Sequence, residues 1–281
     1  MFLLTVHLSF LLKPVHFAMM KFSFAAILLF LSLFSFAQDG TPESTWASRP
    51  VTIDGQAGEW KLPLQFYDAG TKLFFAFEND DKNLYLCFQA PDKMFQAKIM
   101  GAGMEVSLSA KGKHKVSLTF PLAQQSASSP SAGDDQQSVD RKNRNISFVL
   151  QNTFMEVKGF STRNGIIAIN DTSGINAAIN FDKSNSLTYE IAIPYSEWFG
   201  ANYTADDIPQ NVSLEVTINA LKQPRHSKNE SQPGLDKIGK QQRTADNTEE
   251  EQVMPGEYKY TLYTKVKLKQ KFTLANSSNN N

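Results

Sequence analysis

Residues 51–60 read VTIDGQAGEW, and this stretch is more informative about the fold than any other part of the 281-residue chain. Residues 51–53 are apolar or β-branched, and such residues favour β-strands. Asp54 and Gly55 follow directly and form a strong turn signal, because Asp can bond its own backbone and Gly accepts a positive φ. The stretch therefore predicts a first strand that ends in a tight turn.

Short alternating segments after position 60 predict further strands. Two β-hairpins are expected, one pairing residues 72–77 with 83–89 and one pairing residues 105–109 with 115–120. A short helical turn is expected at residues 195–199. The other predicted strands cover residues 146–150, 154–161, 166–170, 175–181, 187–193, 212–221 and 258–268. Eleven or twelve short strands at this spacing are typical of an all-β sandwich.

Two polar stretches interrupt the strand pattern, at residues 123–145 and 222–251. Both are poor in apolar residues, so neither can bury enough surface to offset the entropy of ordering the chain. We interpret them as long loops of one β-sandwich domain over residues 48–269. Two domains divided at the 123–145 stretch are the alternative. A short linker over 38–47 and a disordered tail over 270–281 complete this organisation.

The N-terminus has the features of a secretory signal peptide. A basic start precedes an apolar run over residues 22–36 and a small-residue cleavage site at Ala37. We predict cleavage after Ala37, a secreted or periplasmic location and no membrane span in the mature chain. Residues 1–19 are also apolar, which makes Met19 or Met20 an alternative start. A membrane anchor across both apolar runs is the alternative interpretation.

Composition narrows the range of functions. Lys and Arg total 28 and Asp and Glu total 28, so the basic excess that usually accompanies nucleic-acid binding is missing. Cys87 is the single cysteine, which argues against an intramolecular disulfide, a cysteine-rich zinc site and lipid attachment at the cleavage point. Only His114 and His226 follow the signal, and neither lies in a pattern that provides a base for a nucleophile. We therefore predict that the protein is not an enzyme.

The opening stretch resembles that of DOMON-like domains of the carbohydrate-binding-module family 9 type, which read apolar-x-Ile-Asp-Gly and then Glu-Trp. Two later segments resemble the same family in the same order. Residues 79–86, NDDKNLYL, are similar to its acidic turn before Asn-Leu-Tyr, and residues 187–198, LTYEIAIPYSEW, are similar to its late strand and helical turn. The resemblance covers about residues 48–221. It implies an antiparallel two-sheet β-sandwich of jelly-roll or Ig-like topology and a carbohydrate-binding function.

Five residues are candidates for a sugar site. Trp60, Trp198 and Tyr67 offer aromatic planes on which the C–H face of a pyranose can pack. Asp54 and Glu59 offer carboxylates that would orient the sugar through hydrogen bonds. The alternative is that both tryptophans fill the core of the sandwich.

Asp80, Asp81 and Asn83 are candidate calcium ligands. Calcium takes six to eight oxygen ligands, and the family resemblance implies a structural calcium ion. The alternative is that these residues form a turn and carry solvated charges, since their spacing matches no dedicated calcium loop. No other cofactor is expected.

These observations predict an extracytoplasmic, non-catalytic binding module whose partner is a glycan or polysaccharide. The alternative is a structural or assembly protein of the cell envelope that uses the sandwich for contacts with a protein partner. An exposed strip of aromatic residues would favour the glycan, and an exposed apolar patch would favour the protein partner.

Overall fold

The computed structural model describes residues 41–110, 115–123, 137–222 and 262–277. The chain divides into residues 1–40 and Thr41–Asn281 as separate units, and every described residue belongs to the second. The predicted signal peptide and the turn of the second hairpin lie outside the described residues. Within the described ranges, no helix is long and apolar enough to cross a membrane.

Sheet one contains six strands: β1 (Thr45–Trp46), β2 (Phe66–Asp68), β3 (Leu73–Asn79), β4 (Asn83–Ala90), β9 (Asn176–Phe181) and β10 (Leu187–Pro194). Their order is β1-β3-β4-β10-β9, with β2 also paired to β3. The pair of β1 and β3 is parallel, and the other pairs in this sheet are antiparallel.

Sheet two also contains six strands: β5 (Met104–Ala110), β6 (Val116–Thr119), β7 (Phe154–Lys158), β8 (Gly165–Ala168), β11 (Asn211–Ile218) and β12 (Val266–Thr273). Their order is β12-β11-β5-β6-β7-β8, and all pairs are antiparallel. The predicted antiparallel two-sheet β-sandwich is confirmed, and so are both predicted hairpins.

The core lies between the inner faces of the two sheets. Strands such as β3 place an apolar residue at every second position, so Leu73, Phe75 and Phe77 point into the same layer. Phe77 stacks on Phe272 of sheet two with ring centroids 4.0 Å apart. Both sheets combine strands from before and after the predicted 123–145 loop, since β4 pairs with β10 and β5 pairs with β11. The domain boundaries at 48 and 269 stay a prediction.

Three helices have both ends within the described ranges: α1 (Lys93–Ala102), α2 (Gln137–Gln151) and α3 (Tyr195–Phe199), followed by a 3₁₀ turn at Ala205–Asp207. The predicted helical turn at 195–199 is confirmed by α3. Helix α1 was not predicted; it begins after Asp92, whose side chain accepts hydrogen bonds from the backbone N–H groups of Met94 and Phe95. This N-cap satisfies two of the helix's unpaired donors, and Phe95 and Ile99 anchor the helix one turn apart in the core.

Helix α2 corrects two predictions at once. Residues 137–145 were assigned to a polar loop and residues 146–150 to a strand, but 137–151 is one helix. Phe148 fixes the helix to the core, and the side-chain amide of Asn152 donates to the carbonyl of Phe148 at the C-terminal end. Phe148, its neighbour Val149 and this cap therefore help to order a segment whose composition suggested solvent exposure.

The predicted first and last strands also need correction. Residues 51–53 are not in a strand, and the first strand is β1, inside the predicted 38–47 linker. The last strand is β12 at Val266–Thr273 rather than 258–268, because the apolar alternation continues through Phe272 and Leu274 into the predicted tail. Asn79 of β3 links both ends, since its side-chain oxygen accepts from the Ser44 hydroxyl and from the Ala275 N–H, and its amide donates to the carbonyl of Ala275.

We predict that Phe77→Ala destabilises the domain by about 3–5 kcal/mol, because it removes a buried ring and leaves a cavity between the sheets. The control is Phe154→Ala, since Phe154 lies on the outer face of β7 and is exposed. The control should change the free energy of unfolding by about 0.5 kcal/mol or less. Urea denaturation measures both values, and equal losses would contradict the assigned core.

Candidate functional site

Residues 47–65, which we call the strap, cross the outer face of sheet one between β1 and β2. Trp60 and Leu64 of the strap pack against Tyr85 and Cys87 of β4, in a second apolar cluster separate from the sandwich core. Every residue of β10 is buried, and the strap contacts the outer face of this strand at Glu190 and Ala192. The outer face of sheet one is therefore an interior surface over much of its area.

Glu190 lies beneath the strap and holds it through three hydrogen bonds. Its Oε2 accepts from the backbone N–H of Asp54 at 3.1 Å and of Gly55 at 2.8 Å. Its Oε1 accepts from the indole Nε1–H of Trp60 at 2.7 Å. Glu190 is fully buried, with 0% exposure. The Asp-Gly turn and the tryptophan of residues 51–60 thus converge on one carboxyl group from a distant strand.

Burial raises the pKa of Glu190 to about 7, and this effect exceeds that of the three hydrogen bonds, which lower the pKa. The nearby Asp54 carboxylate adds to the increase. A carboxyl group removed from water loses hydration of its charged form, and hydrogen bonds only partly replace that hydration. Glu190 therefore changes its proton occupancy near neutral pH.

Gly55 is required by the close approach of the strap to β9. Its φ is +77°, a conformation that residues with a side chain rarely adopt, and a Cβ there would lie 2.8 Å from backbone atoms of Ile179 and Asn180. The Gly of the Asp-Gly pair is thus fixed by packing as well as by turn geometry. Its N–H points to Glu190 because the backbone touches the sheet at this point.

The structure corrects the assignment of both tryptophans as sugar-stacking residues. Trp60 is 5% exposed and Trp198 is 3% exposed, so neither presents a ring face to a ligand. Trp60 belongs to the cluster under the strap, and Trp198 belongs to the sandwich core, where it stacks on Phe199 at 4.7 Å. The alternative interpretation, that both fill apolar cores, is the one that the structure shows.

The other predicted sugar contacts lie apart from one another. Tyr67 is 53% exposed on β2 and packs against Phe74 with ring centroids 4.7 Å apart. Asp54 points its carboxylate outward and accepts from the N–H of Gln56 at 2.7 Å, while Glu59 is half-buried on the strap. Of the five predicted residues, the structure brings Asp54 and Trp60 together. Their shared partner is Glu190, which accepts hydrogen bonds from the Asp54 backbone N–H and the Trp60 indole N–H.

The predicted calcium ligands form a turn. Asp80 Oδ1 accepts from the backbone N–H groups of Lys82 and Asn83 at 2.7 and 2.6 Å, and Oδ2 accepts from the hydroxyl of Tyr85 at 2.9 Å. Asp81 is exposed. Across the described ranges, no group of three or more His, Cys, Asp or Glu side chains is placed to hold a metal ion. The residues therefore do not fit a calcium site, because the Asp80 oxygens already accept hydrogen bonds from the protein.

A pocket of about 610 Å³ opens beside the strap on the outer face of sheet one. Ala178 of β9 and Ala192 of β10 are among the small residues that line it, whereas Val51 and Ile53 line it from the strap. Ala192 pairs with Tyr85 on one side and with Asn176 on the other. The space exists because these two floor positions carry methyl groups between larger neighbours.

The polar lining of the pocket consists of amides and hydroxyls: Asn83, Tyr85, Thr153, Asn170 and Asn176. The described residues that line it include no acidic, basic or histidine side chain. Burial and the hydrogen bond to Asp80 raise the pKa of Tyr85 to about 12, so its hydroxyl stays protonated at neutral pH. The lining therefore offers both donors and acceptors without a net charge.

Most of the residues that line this pocket were not predicted from the sequence. Asn83 was assigned to a metal site, and Asn170, Asn176 and Ala178 were not assigned a role. The available signal was weak: Asn176-Ala177-Ala178 places small residues in a strand, where β-branched or aromatic residues are more usual. The partners of these residues come from other segments and are visible only in the fold.

Comparisons with known proteins add little to this geometry. No protein-family model matches the chain, and a search of curated proteins found no significant match. Among solved structures, the chain is similar to a carbohydrate binding module of family 9 from Caldicellulosiruptor kristjanssonii, solved in complex with glucose. The identity is 11%, the match covers 86% of this chain and 99% of that one, and the TM-score is 0.34. A similarity at this level does not extend to the site, and the β-sandwich is established by the strand pairing itself.

We expect Gly55→Ala to destabilise the domain by more than about 1 kcal/mol, because a side chain there is strained and meets the backbone of β9. Gly58→Ala is the matched control on the same strap, since nothing lies within 4 Å of its added Cβ. The control should be neutral or stabilise by about 0.4–1 kcal/mol. Thermal unfolding of the two variants compares them directly, and a neutral Gly55→Ala would contradict the described strap.

The exposed and buried aromatic residues should respond differently to truncation. Trp198→Ala should cost about 3–5 kcal/mol of unfolding free energy because the indole fills the core. Tyr67→Ala should cost about 0.5 kcal/mol, as is usual for surface positions. Chemical denaturation provides the two values. A small loss for Trp198→Ala would return that tryptophan to the candidate ligand contacts.

Proposed function

We propose that this protein is a non-catalytic, extracytoplasmic module that binds a neutral carbohydrate in the pocket beside the strap. The observation that carries the proposal is the uncharged lining of amides and hydroxyls on an apolar floor. Sugar hydroxyls both donate and accept hydrogen bonds, and an Asn side chain offers two donors and an acceptor in one plane. A charged ligand would find no opposite charge among the described lining residues.

The free hydrogen-bonding capacity of the pocket supports the same ligand class. The side-chain amides of Asn170 and Asn176 make no hydrogen bond to any described residue. Asn83 donates to the Tyr85 hydroxyl at 3.0 Å, which leaves its carbonyl oxygen as an acceptor. Apolar contact comes from Val51, Ile53 and Ile169. Pockets with apolar walls and a few polar groups are typical of small-molecule sites.

A binding role without catalysis is supported by the chemistry of the same residues. General acid–base catalysis needs a group whose pKa lies near the working pH. Tyr85 holds its proton up to about pH 12, and amides do not titrate. Glu190, whose pKa is about 7, lies under the strap and is not among the residues that line the pocket.

The extracytoplasmic location is proposed from the signal pattern that ends at Ala37. A cleaved signal would deliver the sandwich to the periplasm or the medium, where polysaccharides are accessible. The mass of the mature protein tests this step. A protein that retains residues 22–37 would contradict it.

Contacts with a cell-envelope protein are the second candidate function, and an exposed apolar group favours it. Ile146 and Leu150 lie one turn apart on α2, and Phe154 and Ile166 face outward on β7 and β8. These four side chains are 48–72% exposed. Exposed apolar patches often mark protein-interaction sites, so this group is the place to examine if the pocket binds no sugar.

We expect the mature protein to bind one or more of glucose, galactose, xylose and their β-1,4-linked disaccharides with a Kd of about 10 μM to 1 mM, since such open sites bind weakly. Isothermal titration measures the affinity. Asn176→Ala should weaken binding roughly 3- to 10-fold, because a neutral hydrogen bond contributes about 0.5–1.5 kcal/mol. Ala178→Trp should abolish binding by filling the floor of the pocket.

Asn211→Ala is the control for the amide change, since Asn211 lies at the start of β11 in sheet two. It should leave the affinity unchanged. Circular dichroism and the melting temperature confirm that each variant is folded. If no sugar in the panel and no immobilised polysaccharide is retained by the wild type, the carbohydrate function is wrong and the envelope-contact function takes its place.

A further inference from the structure

The strap is at once the cover of Glu190 and a wall of the pocket. Val51 and Ile53 line the pocket, and the next two residues, Asp54 and Gly55, donate their backbone N–H groups to Glu190. Consecutive residues of one chain cannot move independently over such a short distance. Any displacement of the Asp-Gly turn from the carboxyl group therefore also displaces the pocket wall.

Charged and titratable groups face Glu190 from the elements around it. The strap contributes Asp54, and β4 contributes Cys87, which pairs with Glu190 in register. Glu59 of the strap and Glu78 of β3 act on Cys87. Arg49 of the strap acts on Glu78, and β9 places Ala178 opposite Glu190. Most of these neighbours are acidic, so they add no compensation to a negative charge on Glu190.

We propose that Glu190 is a positioning residue for the pocket: its buried carboxyl group latches the strap that forms one wall, and loss of its proton makes the strap easier to lift. The latch itself rests on the hydrogen bonds and burial described above, and its consequence for a ligand rests on the proposed function. The residue does not touch the pocket but acts through the strap.

The direction of the pH effect follows from the two states of the strap. With the strap closed, burial raises the pKa of Glu190 to about 7, from an ordinary value of 4.5. With the strap lifted, the carboxyl group is hydrated and its pKa falls back toward the ordinary value. The closed state therefore binds the proton more tightly, so its advantage is full below about pH 4.5 and is lost as the pH rises to about 7. Above that pH the lifting equilibrium is constant.

Cys87 offers a direct measurement of lifting. It is the single cysteine of the chain and is fully buried under the strap in the cluster that contains Trp60. A thiol reagent can reach it when the strap lifts. The rate of labelling, divided by the rate for the same chain unfolded in denaturant at the same pH, gives the lifting equilibrium without the pH dependence of the thiol.

We expect the normalised labelling of wild-type Cys87 to increase with pH between about 4.5 and 7, by up to about tenfold per pH unit, and then to level off. Glu190→Gln removes the titrating group, so its labelling should be independent of pH in this range. Glu156→Gln is the matched control, since it removes a carboxylate from β7 of sheet two, away from the strap, and should keep the wild-type profile. Trp60→Phe, which removes one donor and keeps the carboxyl group, should label faster at every pH and still titrate.

Three results would overturn the latch. The first is a wild-type profile without pH dependence, and the second is the same dependence in Glu190→Gln as in the wild type. The third is labelling that equals the rate expected from global unfolding, measured by urea denaturation at each pH, because the strap would then not move on its own. If Glu190→Gln does not fold, Trp60→Phe tests the latch in its place, and labelling no faster than in the wild type would contradict the latch.

Addition of a sugar separates the latch from the proposed function. A sugar from the panel above that binds should slow Cys87 labelling, because it contacts the closed wall. Binding without such slowing would overturn the link between strap and pocket. If none of the sugars binds and Cys87 labelling still titrates as described, the latch stands and the carbohydrate function is the part that fails.

Discussion

The buried carboxyl group of Glu190 is the interaction on which the outer half of this molecule depends. A carboxylate removed from water is strongly destabilising unless nearby groups replace its hydration. Three N–H donors from the strap do so in part, at 2.7–3.1 Å. The same hydrogen bonds fix the position of the strap on a sheet face that would otherwise be exposed to solvent. The second apolar cluster and the pocket wall both follow from that position.

The two sheets therefore differ in their outer faces. On sheet one, β10 is buried along its whole length. On sheet two, the outer positions of β11 and β12 carry polar residues, among them an ion pair between Glu215 and Lys267 at 2.7 Å. An exposed pair of this kind adds little stability, but lysines on an edge strand hinder pairing with other chains. The sheltered pocket described above thus lies on the covered sheet.

The sequence predicted the sandwich because its central strands obey simple alternation. Residues 83–89 place Leu84, Leu86 and Phe88 on one face, and that face is the core. It did not predict α2, where order comes from the tertiary contact of Phe148. The helix propensity and composition of residues 137–145 do not indicate that contact. Local sequence patterns therefore predict strands in which apolar residues alternate. They do not predict an element whose order depends on a tertiary contact with the core.

The 51–60 motif illustrates the same limit at the candidate site. Its Asp-Gly turn and its tryptophan were visible as special residues, but their common partner is Glu190, about 130 positions later. Without that partner, an outward-facing tryptophan at a sugar site and a buried indole donor look alike in sequence. Asp80, a predicted calcium ligand, is a similar case, because its oxygens accept hydrogen bonds from N–H and O–H groups of its own turn.

The pocket shows why the ligand chemistry became visible only in the fold. Asn83, Asn170 and Asn176 come from three segments, and in the sequence each reads as an ordinary turn or strand-end residue. Strand pairing brings them around two alanines, and the strap encloses the space from the side of Glu190. On the proposed function, uncharged amides would determine what the pocket recognises, whereas Glu190, with a pKa of about 7, lies behind the wall. The two proposals thus place recognition and pH response on different residues, which a substitution can separate.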